Sequence, residues 1–164
     1  MKQAGNIGTV IHGLCEQINL GVSLGELEIC SESIYRMVEA YYEWFCAAVD
    51  EVIDVEKTVV AHDYQYAGTA DLVAVLKGDT EPSVIDIKTS GAIYPDMALQ
   101  LAAYEYVLGT SRRLICHIDK KDIGKWRIKE YTNPDDFRMF LYAKELWNYF
   151  YGGKPVDRKS IVVV

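Results

Sequence analysis

Apolar positions along the chain follow two periods, and the two kinds of stretch are well separated. Ile7 to Leu20 has helical spacing, with Gly21 as its stop. Ser31-Glu32-Ser33-Ile34 leads into Tyr35, Val38, Tyr41, Tyr42 and Phe45, a second helix running to about Asp50. The period then shortens. Val52–His62 and Tyr66–Leu76 are rich in Val, Ala, Leu and Tyr around the turn His62-Asp63-Tyr64-Gln65, which predicts a hairpin. After the turn Lys77–Pro82 comes a short strand, Ser83–Lys88, broken by Thr89-Ser90-Gly91.

Pro95 is expected to open a helix to Leu108, with Gly109 closing it. Arg112–Asp119 and Lys125–Tyr131 are the next two strands, around a charged turn containing Gly124. Asn133 as N-cap and Pro134 in the first position begin a long helix to about Tyr151. The tail from Gly152 ends in the strand-like Ile161-Val162-Val163-Val164. The order α-α-β-β-β-α-β-β-α predicts an α/β (α+β) fold, a mixed sheet of about five strands flanked by helices.

Composition narrows this little. The 164 residues are one domain's worth of chain, 50% hydrophobic and 25% charged, so a packed core rather than disorder is expected over residues 1–164. No apolar run is long enough for a membrane span, and no apolar region follows the first six residues as a secretory signal would require. The four cysteines, at 15, 30, 46 and 116, form no C-x-x-C pair and read as reduced, mostly buried thiols. Charge says more. The net value of −7 hides an asymmetry: residues 1–111 carry 5 basic and 17 acidic side chains, residues 112–164 carry 12 and 7. A polyanion would meet attraction only in the last third.

Four short groups could carry chemistry. In Asp86-Ile87-Lys88, positions i and i+2 of a strand put acid and ammonium on one face while Ile87 turns to the core. Gly68-Thr69-Ala70-Asp71 heads the preceding strand, and antiparallel pairing would bring Asp71 near Asp86. Two carboxylates in one place repel, which a divalent cation would relieve. Gln100 and Tyr104 are i, i+4 on the crossover helix, as are His12 and Glu16 on the first. Singly, each has an ordinary reading: a solvated strand end, a turn aspartate, the wet edge of a helix, a satisfied histidine.

Taken in order, G-T-x-x-H, G-x-x-D, D-x-K and Q-x-x-x-Y resemble the PD-(D/E)xK nuclease superfamily, in its RecB-like exonuclease branch with phage recombination and CRISPR-associated relatives. That resemblance implies a restriction-endonuclease-like core and a metal-dependent deoxyribonuclease. It implies that Asp71 and Asp86 bind Mg²⁺ or Mn²⁺ with the main-chain carbonyl of Ile87 and with His12, that Lys88 is the catalytic lysine, and that Gln100 and Tyr104 border the metal site and the DNA path. Glu56, on the strand before Gly68, matches a glutamate that supports the site in some members. Iron–sulfur members cluster cysteines near the C-terminus; here only Cys116 lies beyond residue 46, so no iron–sulfur cluster is expected.

DNA is thus the expected partner, with a recombination or helicase protein as a further one, no membrane, and a cytoplasmic place in a bacterium or its phage. A metal-dependent endonuclease of the same fold and an inactive nucleic-acid-binding module are the alternatives. For the DNA path, Lys125, Arg127 and Lys129 alternate along one strand and share a face, leaving Trp126 and Ile128 to the core. They form a candidate phosphate track together with Arg112 and Arg113; the other reading is an edge strand kept soluble by its charges.

Overall fold

The computed structural model describes residues 2–152, with side chains from residue 7. Its elements are α1 (Lys2–Asn19), α2 (Glu32–Ala48), β1 (Val49–Ala61), β2 (Tyr66–Leu76), β3 (Ser83–Lys88), α3 (Met97–Leu108), β4 (Arg112–Ile118), β5 (Trp126–Tyr131) and α4 (Asp136–Tyr151). A single 3₁₀ turn, Leu24–Glu26, interrupts the α1–α2 connection. The strands form one mixed sheet in the spatial order β1-β2-β3-β4-β5. Only β3 and β4 are parallel, and α3 is the crossover that parallel neighbours require.

Each face of the sheet has its own core. Ile11, Leu14, Cys15 and Ile18 of α1 and Met37, Val38, Tyr41 and Trp44 of α2 pack on Leu72, Ile85, Ile87, Leu114, Cys116 and Ile118. Met97, Leu101 and Tyr104 of α3 pack on Val59, Ala70, Val84 and Ile115 of the opposite face. β3 is therefore covered on both sides, which explains why Val84, Ile85 and Ile87 run almost unbroken by polar residues. Two strands lie on either side of it, so Asp86 and Lys88 end the middle strand of the sheet.

Helix boundaries move by a few residues for visible reasons. Gly21 (φ +94°) and Gly109 (φ +65°) take the left-handed conformation that terminates α1 and α3. Both proline-led helices begin later than expected. Ala98 N–H donates to Pro95 O at 3.2 Å and Asp136 N–H to Asn133 O at 3.2 Å, so Pro95 and Pro134 belong to i→i+3 turns ahead of α3 and α4. Asn133 is not the N-cap of α4, which is Asp135; its Oδ1 accepts the Asp135 N–H at 3.1 Å in a turn ahead of the helix. α2 runs directly into β1 at Val49, which begins three residues before the expected Val52.

Two expectations need correction. Trp126 and Ile128 are not core: each is 38% exposed, because among the described residues β5 ends the sheet and α2 reaches its face only in part. Of the cysteines, Cys15 and Cys116 are buried, but Cys30 and Cys46 are exposed. Among the described residues no helix is long and apolar enough to cross a membrane. The strand-like run Ile161–Val164 lies outside the described residues.

Candidate active site

The antiparallel register of β2 and β3 runs Ala74↔Ser83, Val73↔Val84, Leu72↔Ile85. Extended by one step, it sets Asp71 across from Asp86. Asp86 is 1% exposed. Burial, and then the Asp86 charge, push the Asp71 carboxyl well above the usual range; the Ile87 N–H and Lys88 act against this. That N–H donates to Asp71 Oδ2 at 2.6 Å and so fixes the Ile87 peptide beside the carboxylates. Two acids are held together here with few donors between them.

Lys88 Nζ stands 2.5 Å from Oδ2 of the buried Asp86, a close ion pair. Burial alone would lower the Lys88 pKa. The Asp86 carboxylate, helped by Asp71, outweighs burial and raises it, so Lys88 is a fixed ammonium. From there a relay leads away along α3. Lys88 Nζ donates to Gln100 Oε1 at 3.2 Å, and Gln100 Nε2 donates to Tyr104 Oη at 2.8 Å. The i, i+4 spacing makes this possible, since both side chains rise from one face of α3. The Tyr104 ring then lies against Gly68, where a Cβ would come within 2.7 Å of Cε1. The glycine of G-x-x-D is thus the space that the Q-x-x-x-Y tyrosine occupies.

α1 closes the opposite side. His12 Nδ1 is 3.8 Å from Asp71 Oδ2. Burial lowers the His12 pKa against the pull of Asp86, and Lys88 and Lys120 push the same way, leaving the neutral imidazole that metals take as a ligand. Gly8, one turn earlier, lets the helix approach: a Cβ there would meet Thr89 Oγ1 at 3.2 Å and Lys120 Nζ at 3.5 Å.

Glu56 sits between the registered pairs Val55↔Leu72 and Lys57↔Ala70, so it is set across from Asp71. Its backbone has φ +50°, a left-handed conformation that glutamate rarely adopts and that marks local strain. Burial, then the charges of Glu16 and Asp86, raise its pKa. Glu16 therefore belongs to the same acidic neighbourhood, and its one sequence signal was the i, i+4 relation to His12.

Among the described residues no three His, Cys, Asp or Glu side chains already stand around one point as a closed metal cage. The donor chemistry nonetheless fits a hard divalent cation. A buried carboxylate, a partly buried one and a neutral imidazole face one another, and a cation would offset the repulsion that raises Asp71.

The cations of the candidate DNA track are placed otherwise than expected. Arg113 is 4% exposed and donates to Tyr131 O at 3.0 Å and Asn133 O at 2.6 Å, beside Asp136 and Glu105. It is an internal tie between β4 and the start of α4. Arg112 bridges Glu130 and Asp79. Lys125 pairs with Asp122, Arg127 with Asp119, and Lys129 lies over the Tyr131 ring, 5.6 Å from its centre. Alternation along β5 correctly groups Arg127 and Lys129, which stand opposite His117 and Ile115, yet it carries no information about their partners. Lys154, Arg158 and Lys159 lie outside the described residues.

No protein-family model and no curated protein matches the chain. Among solved structures, the crystal structure of SSO0001 is similar over 62% of this chain and 51% of that one, at 19% identity and a TM-score of 0.42. The chain therefore spans about half the length of that structure.

Proposed function

We propose that the protein is a divalent-metal-dependent deoxyribonuclease, acting as an exonuclease of the PD-(D/E)xK type. The observation that carries this reading is the convergence of four sequence groups on one point. Asp71, Asp86 and Lys88 meet at the end of the central strand, His12 closes one side, and Lys88 is tied through Gln100 to Tyr104 on the other.

In this reading Asp71 and Asp86 would hold Mg²⁺ or Mn²⁺, with the neutral imidazole of His12 and the main-chain carbonyl of Ile87 as further ligands. Bound there, the cation supplies electrophilic stabilisation of charge on the phosphoryl oxygens. Lys88, as an ammonium, neutralises charge that builds up during cleavage. Gln100 holds Lys88 on the α3 side while Tyr104 braces Gln100, so the ammonium is positioned before substrate arrives. Glu56 adds negative charge at the rim. Digestion and repair or recombination of DNA, in a bacterial or phage setting, is the cellular role this chemistry serves.

The test is digestion of end-labelled single- and double-stranded DNA with Mg²⁺ and with Mn²⁺, alongside covalently closed circles. Metal-dependent release of nucleotides from ends with circles intact is expected. Nicking of circles makes the protein an endonuclease, and no cleavage with either metal removes the nuclease reading.

A further inference from the structure

We propose that Lys120 and Lys121, on the turn between β4 and β5, form a phosphate-gripping subsite at the mouth of the Asp71–Asp86 site and hold the backbone of a nucleic-acid strand there. The polyanion's identity rests on the nuclease reading; the subsite itself rests on three observations of its own.

The first is position. Lys120 Nζ would be 3.5 Å from a Cβ on Gly8, and Lys121 Cε would be 3.1 Å from a Cβ on Gly91. Gly8 is one helical turn before His12, and Gly91 is three residues after Lys88. The two lysines thus lie over the two backbone segments that flank the carboxylates, one on the α1 side and one on the β3–α3 loop. Glycine at both places leaves room for the lysine stems.

The second is that the turn is built. Asp119 is buried, and its Oδ1 accepts the N–H of Lys121 at 2.8 Å and of Asp122 at 3.3 Å. Its other oxygen pairs with Arg127. The ends of the turn are closed by Asp119 N–H to Lys125 O at 3.0 Å. Arg127, counted by alternation as a DNA contact, instead anchors the aspartate that shapes this turn.

The third is charge. Arg112, Arg113, Lys125, Arg127, Arg138 and Lys144 each have a carboxylate partner within 4 Å. Among the described residues Lys120 and Lys121 have none, nor do Arg36, Lys77 and Lys129, of which Lys77 donates to Cys46 O and Lys129 lies over the Tyr131 ring. Cations without internal partners, on an ordered turn beside an acidic site, suit the phosphates of a strand whose scissile group must lie against that site.

The test is fluorescence-anisotropy titration of a labelled single-stranded oligodeoxynucleotide with Ca²⁺ present, across a salt series. Wild type is compared with Lys120→Ala/Lys121→Ala and Lys120→Arg/Lys121→Arg, and Mn²⁺ affinity is measured separately by calorimetry. The alanine pair is expected to bind about tenfold more weakly and to flatten the slope of log K against log salt by about 1.4, two contacts at roughly 0.7 each on a single strand. The arginine pair should bind as wild type, and the alanine pair should bind Mn²⁺ at least as tightly as wild type, since it removes positive charge beside His12. An alanine pair with wild-type affinity and slope overturns the subsite, as does a wild type that binds no oligonucleotide. Lysine-dependent binding by a protein that takes no Mn²⁺ keeps the subsite and overturns the metal reading instead.

Discussion

Two buried charge clusters share the α3 face of the sheet, and they are built in opposite senses. Arg113 is set in register with Val84, two residues along β3 from Asp86. Around its guanidinium the chain supplies two backbone carbonyls and two carboxylates, one of them, Glu105, a third exposed. A cation is the buried group there, and its Nε and Nη2 donors are used. At Asp71 and Asp86 the groups withdrawn from water are anions, Asp71 in part, and the close cation among the described residues is Lys88, 2.5 Å from Asp86 Oδ2. The first arrangement is closed around its cation, with Asp136 Oδ2 ion-paired to it at 3.1 Å. The second is deficient in positive charge, and the strained Glu56 adds to the deficit. A closed cluster belongs to the fold; an open one has a use for an external cation.

The largest expected effect tests the closed cluster. Arg113→Ala leaves Asp136 buried beside an empty space, and breaking a buried pair from one side costs about 3–5 kcal/mol. Urea unfolding should show that loss, with metal affinity of the folded protein unchanged. A stability within about 0.5 kcal/mol of wild type, the usual range for surface changes, would mean that Arg113 is not the tie described.

In the open cluster the burden falls on function. Asp71→Ala, Asp86→Ala and Lys88→Ala should each lower the cleavage rate by about 10²–10³-fold or more, the scale of removing a group that stabilises developing charge. The folds should remain intact by circular dichroism. Calorimetry should show weaker Mn²⁺ binding in the two aspartate variants and none of that weakening in the lysine variant. Nuclease activity retained by any one of them would remove that residue from the site.

Next in size is the contact that joins two of the sequence groups. Gly68→Ala drives a methyl to 2.7 Å from the Tyr104 ring, and such overpacking costs about 1–3 kcal/mol. Displacing Tyr104 also releases Gln100 and, through it, Lys88. The cleavage rate should therefore fall although no charged group has changed. Loss of stability at full activity would make Gly68 a packing residue only.

The order of elements was legible in the chain because each apolar stretch keeps a single period, and β2 and β3 were bounded to the residue. The site was legible for a related reason: residues two apart on a strand and four apart on a helix must share a face, so Asp86 with Lys88 and Gln100 with Tyr104 were fixed locally. What failed depends on neighbours distant in sequence. Alternation assigns Trp126 and Ile128 to one side of β5 but cannot say how little of that side is covered, among the described residues, at the end of the sheet. It equally cannot say that Arg112 and Arg113 are engaged by Asp79, Glu105, Glu130 and Asp136. Lys120 and Lys121 count among the basic residues of the last third, but the nearness of Lys120 to Gly8 gave no signal, because it is made by the fold of a turn against a helix 112 positions earlier.

Without metal, the open cluster should also cost stability, and the sign follows from Asp71. Its folded pKa is raised, chiefly by burial and then by Asp86. The native state therefore favours the protonated acid. That contribution is fully present below the unfolded pKa of about 3.8 and is lost as pH rises through the folded value. In chelator at neutral pH, Asp71→Asn should melt above wild type, and its melting temperature should lack the decline that wild type shows as pH rises from about 4. Asparagine melting below wild type at neutral pH would mean that the two carboxylates are not in conflict. Catalysis and metal-free stability should thus move in opposite directions at this one residue.

The smallest expected effect concerns which cation the site prefers. His12 lies on α1, while both aspartates lie on the sheet, so the imidazole can be removed without disturbing the β2–β3 register. Its pKa is lowered chiefly by burial, and the neutral ring offers nitrogen to a metal at neutral pH. Nitrogen suits Mn²⁺ better than Mg²⁺, whose preference is for oxygen. His12→Ala should accordingly weaken Mn²⁺ more than Mg²⁺, moving the ratio of the two affinities while leaving an oxygen-only site that still binds both. His12→Asn is the sharper variant, since it restores an oxygen donor near Asp71 without the nitrogen. It should recover Mg²⁺ binding more fully than Mn²⁺ binding. If both affinities are unchanged in both variants, His12 is a packing residue of α1, and the cation deficit at Asp71 and Asp86 must be met by the sheet alone.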